Sequence, residues 1–148
     1  MLVREVMTTP AVTVHVETSV KTALTLLAEH SVTSLPVVGH DGQVIGVVSE
    51  ADLIRDGIPQ DIRLHLNYAP DPEARSLAAQ TVGEVMSHHP VTVSPDTDLH
   101  QATELMTSTT VKSLPVVDDQ QRVVGVVSRR DVVRVLAQPD NLLAAEAG

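Results

Sequence analysis

The sequence predicts an α+β protein of two β-α-β-β-α repeats packed about a pseudo-twofold axis, and three observations predict it. The chain repeats itself: shifted by 79 positions, residues 3–55 lie over 82–134 without a gap, and 23 of the 53 pairs are identical, far above chance for unrelated segments. Within each copy, short valine-rich runs flank a stretch with helical spacing, so strand and helix periods are both present. The composition agrees, with 26 valines and a single aromatic residue, Tyr68, since β-branched side chains suit pleated, buried strands. Two copies of about 55 residues are each too small for a comfortable core. Their apolar faces are therefore expected to pack together, and a self-complementary interface creates two equivalent crevices, each lined by both repeats.

The elements follow in order. Val12-Thr13-Val14 and its counterpart Val91-Thr92-Val93 alternate like short strands. A helix comes next, with Thr18 as its expected N-cap and Val20, Ala23, Leu24 and Leu27 on one stripe; Leu99, Ala102 and Met106 repeat that stripe. Pro36 and Pro115 forbid helix and are expected to open the next strands as first residues. Asp41-Gly42, between Val37-Val38 and Val44-Ile45, marks a hairpin turn, whereas Gln120-Gln121 in the second copy is a weaker turn signal. The closing helices begin at Ser49 and Ser128. The chain divides into a first repeat at 1–56, a linker at 57–79, a second repeat at 80–138 and a tail at 139–148. In the linker, Asp71-Pro72-Glu73 predicts a short helix over 72–79, and Thr81-x-x-Glu84 is a capping box that opens another. The tail after Pro139 is expected to be frayed or lightly docked.

Composition excludes several function classes. The 148 residues are 43% hydrophobic and 20% charged, with no cysteine, so disulfide scaffolds, thiolate metal sites and cysteine nucleophiles are out, and so is a solvated coil. One aromatic side chain cannot build a base-stacking surface. A formal charge of −9, from 10 basic and 19 acidic residues, opposes non-specific binding to nucleic acid or anionic membrane. Apolar runs such as Val44-Ile45-Gly46-Val47-Val48 fall far short of the roughly 20 residues a bilayer span needs. The opening Met1-Leu2-Val3-Arg4-Glu5 has no signal-peptide character. A cytoplasmic protein is the expectation.

The pattern Gly-x-x-Ser-x-x-Asp occurs at the end of both third strands, as Gly46, Ser49 and Asp52 and as Gly125, Ser128 and Asp131. One reading is a capping box, with the serine capping the helix and the aspartate reaching back to a backbone N–H. The functional reading costs little on top. A helix N-terminus with free N–H groups and a hydroxyl is a ready phosphate site, and an acid in the same turn can accept hydrogen bonds from ribose hydroxyls.

With these residues the chain resembles a tandem pair of CBS domains, named for cystathionine β-synthase and together called a Bateman module, of the kind found as a stand-alone CBS domain-containing protein. The matching residues are Val3, Val6 and Met7 with Val82, Val85 and Met86, Leu-Pro-Val-Val at 35–38 and 114–117, and Gly-Val-Val-Ser-x-x-Asp at 46–52 and 125–131. The resemblance covers about 1–56 and 80–138. It implies ligand sensing without chemistry: such pairs bind adenosine-containing ligands (AMP, ADP, ATP, sometimes S-adenosylmethionine or a dinucleotide such as NAD) and pass their state to a regulated protein.

Carried over residue by residue, the resemblance implies one site of Met7, Val12, Val32 and Thr33 with Val126, Ser128, Arg130 and Asp131. The mirror site joins Met86, Val91, Val111 and Lys112 to Val47, Ser49, Ala51 and Asp52. Aliphatic residues such as Val12 and Val126 would hold the adenine. The first site is preferred on charge: Arg129 and Arg130 stand at its helix start, and Lys112 is counted with it. The mirror helix instead opens on Glu50 and Ala51, with neutral Thr33 in the place of the lysine, and acids without a base repel an anionic ligand. Two departures from the family pattern, Gly39 in place of the aspartate kept at Asp118 and the one-place offset between Pro10 and Pro90, also weaken the mirror site.

Seven histidines are present, but the adjacent His88-His89 pair suits neither spacing that aims two ligands at one ion, and no metal site is expected. No nucleophile elbow appears, so no catalytic residue is assigned and an enzyme is not expected. The expected function is a regulatory adenosine-ligand module acting on a partner protein of unknown identity. The competing class is a structural dimerisation module with vestigial pockets. A homodimer is expected through the outer helix stripes, for example Leu26 and Leu105.

Overall fold

The computed structural model describes residues 1–55 and 80–138; the helix expected at 72–79 and the tail after Pro139 lie outside the described residues. After a 3₁₀ turn at Val3–Glu5, the first repeat runs β1 (Val14–His15), α1 (Val20–His30), β2 (Ser34–Val38), β3 (Val44–Ser49) and α2 (Glu50–Arg55). The second runs α3 (Val82–Val85), α4 (Leu99–Ser108), β4 (Ser113–Val117), β5 (Val123–Ser128) and α5 (Arg129–Leu136). The fold is α+β as the sequence predicts, and the first repeat follows the β-α-β-β-α order in full.

The described residues form two compact units that are not the two repeats: unit I holds residues 12–55 and 80–90, unit II residues 1–11 and 91–138. Each leading segment packs on the sheet of the other repeat. In unit II, Thr8 and Val126 exchange two backbone hydrogen bonds, of 2.8 and 3.1 Å. In unit I, their counterparts Ser87 and Val47 do the same at 2.9 and 3.1 Å. Val3 is fully buried in the unit II core with Val93, Ala102, Met106, Leu114, Val116 and Val127. Val82 is fully buried in the unit I core with Val14, Val20, Ala23, Leu35, Val37, Val48 and Leu53. Burial of side chains of this size contributes about 1.5–3 kcal/mol each, so neither core is complete with its own repeat alone.

In unit I the sheet order is β1-β2-β3, with β1 parallel and β3 antiparallel to β2. Unit II has the antiparallel pair β4-β5, and its first strand shrinks to a single parallel bridge between Val93 and Val116. The short strands expected at Val12–Val14 and Val91–Val93 are thus displaced in one copy and reduced in the other. Only Val14 and His15 meet partners in β2, and only Val93 bonds to β4, through Pro115 and Val117.

Two other local expectations are corrected. Ser19, not Thr18, caps α1, accepting the Thr22 N–H at 3.0 Å, while the Thr18 hydroxyl accepts the N–H of His15. Pro36 and Pro115 sit third in their strands rather than first, opposite Val47 and Val126. Those two valines turn their N–H and C=O outward to Ser87 and Thr8. Each proline therefore occupies a non-hydrogen-bonded pair, where its missing N–H costs the ladder nothing. Val20, Ala23 and Leu27 of α1 and Leu99, Ala102 and Met106 of α4 face their cores as the stripes predict. Thr81 and Glu84 form the expected capping box of α3.

The two hairpin turns share one backbone and hold it differently. Gly42 has φ 80° and Gln121 has φ 66°. Both turns close with matching bonds, Gly42 N–H to Gly39 C=O and Gln121 N–H to Asp118 C=O, each 3.0 Å. Glycine adopts the left-handed conformation freely, whereas a side chain there is strained. The second turn compensates through Asp118, whose carboxylate oxygen accepts the N–H groups of Gln120 and Arg122 at 2.8 and 3.0 Å, an Asx-type device.

Gln121→Gly is therefore expected to stabilise the protein by up to about 1 kcal/mol. Asp118→Ala is expected to cost about 1 kcal/mol, and Gln121→Gly to recover part of that loss. Urea denaturation of the two single variants and the double variant checks this; a destabilising Gln121→Gly would refute the compensation.

Candidate functional site

The Gly-x-x-Ser-x-x-Asp pattern sits where a core strand hands the chain to a helix, and each residue has a separate reason to be there. In unit II, a Cβ on Gly125 would come within 3.0 Å of both Met7 Sδ and the Thr8 carbonyl oxygen. In unit I, a Cβ on Gly46 would meet the Ser87 carbonyl oxygen at 2.6 Å and Met86 Sδ at 2.8 Å. The glycine lets the leading segment lie against the strand, which also seats Met7 and Met86 beside the motif.

Ser128 caps α5, its hydroxyl accepting the Asp131 N–H at 3.2 Å. Asp131 is 3% exposed, a position a carboxylate tolerates only with a full set of partners. Its Oδ2 accepts the Ser128 N–H at 2.9 Å and the Ser128 hydroxyl at 3.1 Å. Its Oδ1 accepts Arg134 Nη2 at 2.8 Å and the Thr8 hydroxyl at 3.5 Å. The capping-box reading is thus realised, with two added donors that the sequence reading missed. Arg134 was findable, because residues three apart on a helix are neighbours. Thr8, 123 positions away from Asp131, carried no such signal.

The counterpart in unit I keeps the capping box. Asp52 Oδ2 accepts the Ser49 N–H at 3.0 Å, and the Ser49 hydroxyl accepts the Asp52 N–H at 3.1 Å. Asp52 is only partly buried.

The segment before each second strand also belongs to the helix start. Ser31 and Thr110, at matching positions, both adopt positive φ, 54° and 58°. They turn the chain so that the Thr33 carbonyl accepts the Glu50 N–H and the Lys112 carbonyl accepts the Arg129 N–H, each at 2.9 Å. The expectation of free N–H groups at these helix starts is therefore corrected. In α5 the first and third N–H groups are already bonded within the protein, which leaves side chains to supply most of any anion recognition.

Unit II thus brings together Met7, Val126, Ser128, Arg130 and Asp131, with Lys112 beside Arg129. Val91 and Val111 are half-buried against the same core. Unit I brings together Val47, Ser49, Ala51 and Asp52 with Met86, and it contains Val12, Val32 and Thr33, the two valines half-buried against its core. Lys112, Arg129 and Arg130 are all exposed. Leu26 and Leu105, expected on an outer stripe, are half-buried against their own cores instead. The exposed apolar positions on the closing helices are Ile54, Val133 and Leu136. Among the described residues, no helix is long and apolar enough to cross a membrane.

Comparison with known proteins is consistent with this architecture. The CBS domain family model matches residues 3–57 and 82–138. The CBS domain-containing protein CBSX2, chloroplastic, of Arabidopsis thaliana is 36% identical over 146 residues, covering 88% of this chain and 61% of that protein, so the chain spans less than two thirds of this relative. The crystal structure of CBSX2 in complex with AMP superposes with a TM-score of 0.74 at 32% identity, covering 94% of this chain and 98% of that one. The CBS domain pair of protein MJ0100, in complex with 5′-methylthioadenosine and S-adenosyl-L-methionine, gives a TM-score of 0.74 at 26% identity, covering 93% and 100%.

The motif glycines generate a stability prediction. Gly46→Ala is expected to cost about 1–3 kcal/mol, because the Ser87 carbonyl cannot retreat without breaking its pair with Val47. Gly125→Ala should cost less, its nearest contacts being 3.0 Å. Urea midpoints measure both; two silent substitutions would show that the leading segments are not seated on these strands.

Proposed function

The chain belongs to the CBS-domain family, and from that premise we propose that it is a non-catalytic regulatory module that binds an adenosine-containing ligand and passes its state to a partner protein. The crystal structures of CBSX2 and of the MJ0100 CBS pair are complexes with AMP and with 5′-methylthioadenosine and S-adenosyl-L-methionine, which supports an adenosine ligand as the class. For this chain we favour AMP, ADP or ATP over S-adenosylmethionine or NAD, bound through Ser128 and Asp131. Met7, Val126, Lys112 and Arg130 belong to the same unit, and Val12, Val32 and Thr33 are the further residues that the family resemblance assigns to this ligand. Met86, Val91, Val111, Val47, Ser49 and Asp52 make the weaker site.

One observation carries the choice of ligand. Arg129 and Arg130 occupy the first two positions of α5, where the positive end of the helix dipole disfavours cations by about 0.3–1 kcal/mol each. A phosphate there turns that local conflict into attraction. The matching helix α2 opens on acids, Glu50 and Asp52, and obeys the dipole rule without a ligand.

Three outcomes test the reading. A melting scan with AMP, ADP, ATP, NAD and S-adenosylmethionine should show stabilisation, about 2.7 kcal/mol at 100 times the dissociation constant; no shift with any of them would favour a purely structural module. By calorimetry on folded variants, Asp131→Ala should weaken binding about 10- to 150-fold, the loss of 1.5–3 kcal/mol for hydrogen bonds to a charged group, and Asp52→Ala far less. Equal losses would remove the asymmetry between the sites. AMP should bind better than adenosine by a margin that shrinks as salt screens the basic side chains, and equal binding would make them a solvated face only.

We also expect a homodimer. Ile54 and Val133, at matching repeat positions, are 46% and 62% exposed, and paired helices would cover them. Light scattering that shows only monomer at tens of micromolar protein would refute this.

A further inference from the structure

We infer that Arg134 is an internal competitor for Asp131, holding the carboxylate oxygen that a ribose must take. This rests on the reading of Asp131 as the ribose acceptor and names the residue that sets the affinity of that contact.

The two oxygens of Asp131 do different work. Oδ2 is committed to the helix start, holding the Ser128 N–H and hydroxyl. Oδ1 is held by side chains outside the capping box, the Arg134 guanidinium one turn along α5 at 2.8 Å and the Thr8 hydroxyl at 3.5 Å. Only Oδ1 can change partners without loosening α5. The ion pair is also lopsided: the Arg134 side chain is 62% exposed and that of Asp131 is 4% exposed. Arg134 can swing into water at little cost, because a long cationic side chain keeps its hydration at the surface. Asp131 cannot be left alone, because a buried carboxylate without a donor is strongly unfavourable. Arg134 therefore supplies a donor that keeps Asp131 satisfied, and leaves when a ribose hydroxyl donates to the same oxygen. Exchange replaces one set of hydrogen bonds by another, and the net affinity is what remains after the Arg134 contact is lost.

Two consequences follow that a merely structural ion pair would not produce. Removing Arg134 should strengthen ribose binding. Salt should strengthen it too, even for an uncharged ligand, because screening weakens the contact that must be broken.

The test is calorimetry of the full chain with adenosine, which has the ribose and no phosphate, at low and high salt. Arg134→Ala keeps a good helix former and should bind adenosine roughly two- to fivefold more tightly, the worth of a partly exposed ion pair. The wild type should gain affinity from salt and Arg134→Ala should not, while Arg134→Lys should stay near the wild type in both respects. Circular dichroism confirms that the variants are folded. Wild type that binds adenosine, with Arg134→Ala equal or weaker, overturns the competitor and leaves the proposed function standing. Wild type that binds no adenosine compound while Arg134→Ala does supports the competitor and removes the nucleotide-sensing reading of the wild type. Absence of binding by either overturns both.

Discussion

Two short exchanges of backbone hydrogen bonds, Thr8 with Val126 and Ser87 with Val47, hold the described architecture in place. Each attaches a leading segment to the outer side of a strand that would otherwise expose unpaired N–H and C=O groups. The requirement for a glycine one residue before, at Gly125 and Gly46, follows from the closeness of that contact. So does the burial of Val3 and Val82 in cores built largely from the other repeat. The tolerance of Pro36 and Pro115 inside β2 and β4 follows as well, since the valines opposite them send their polar groups outward. The same contact carries Met7 and Thr8 to the strand end that launches α5. A motif that reads as a ligand signature is thus first a packing signature, and its glycine is explained without any ligand.

What the packing does not explain is the depth of Asp131. A capping aspartate works at an exposed helix start, as the partly buried Asp52 shows with the same two bonds to its serine. The Asp131 carboxylate is buried and accepts from four donors, the Ser128 N–H and hydroxyl, the Thr8 hydroxyl and the Arg134 guanidinium. Burying a charge is unfavourable until every lone pair is used. A saturated carboxylate whose outermost donor is solvent-facing is well suited to exchanging that donor.

Much of this was legible in the sequence. The duplication, the helix stripes, the hairpin at Asp41-Gly42 and the capping boxes all rest on spacings within one repeat, where chain neighbours are spatial neighbours. Which repeat each leading segment joins was not legible: the copies share their apolar pattern, so Val3 fits either core equally well on pattern alone. The N-cap moved from Thr18 to Ser19 because both hydroxyls are suitable and only the backbone decides which one reaches Thr22. The prolines were placed at strand starts because the ladder partner that makes them harmless lies on a distant segment. Of the donors around Asp131, the local ones were within reach of helical spacing, and Thr8 was not.

The two repeats have diverged in ways that differ in kind. At the hairpin, Gln121 stands where the first repeat has Gly42, and Asp118 supplies two hydrogen bonds where Gly39 has no side chain. That difference is balanced inside the protein, and the two turns keep the same backbone bonds. At the helix start, Glu50-Ala51 stands against Arg129-Arg130, and both arginines are exposed. The dipole of α5 opposes them, and Asp131, the acid of that turn, is directed to Ser128, Thr8 and Arg134 instead. A local electrostatic conflict of this kind at the start of α5 is what supports the proposed site there. The proposed anion would balance the arginines of α5, whereas α2 opens on acids that suit its dipole, so the asymmetry between the repeats is electrostatic and the scaffold beneath them is common.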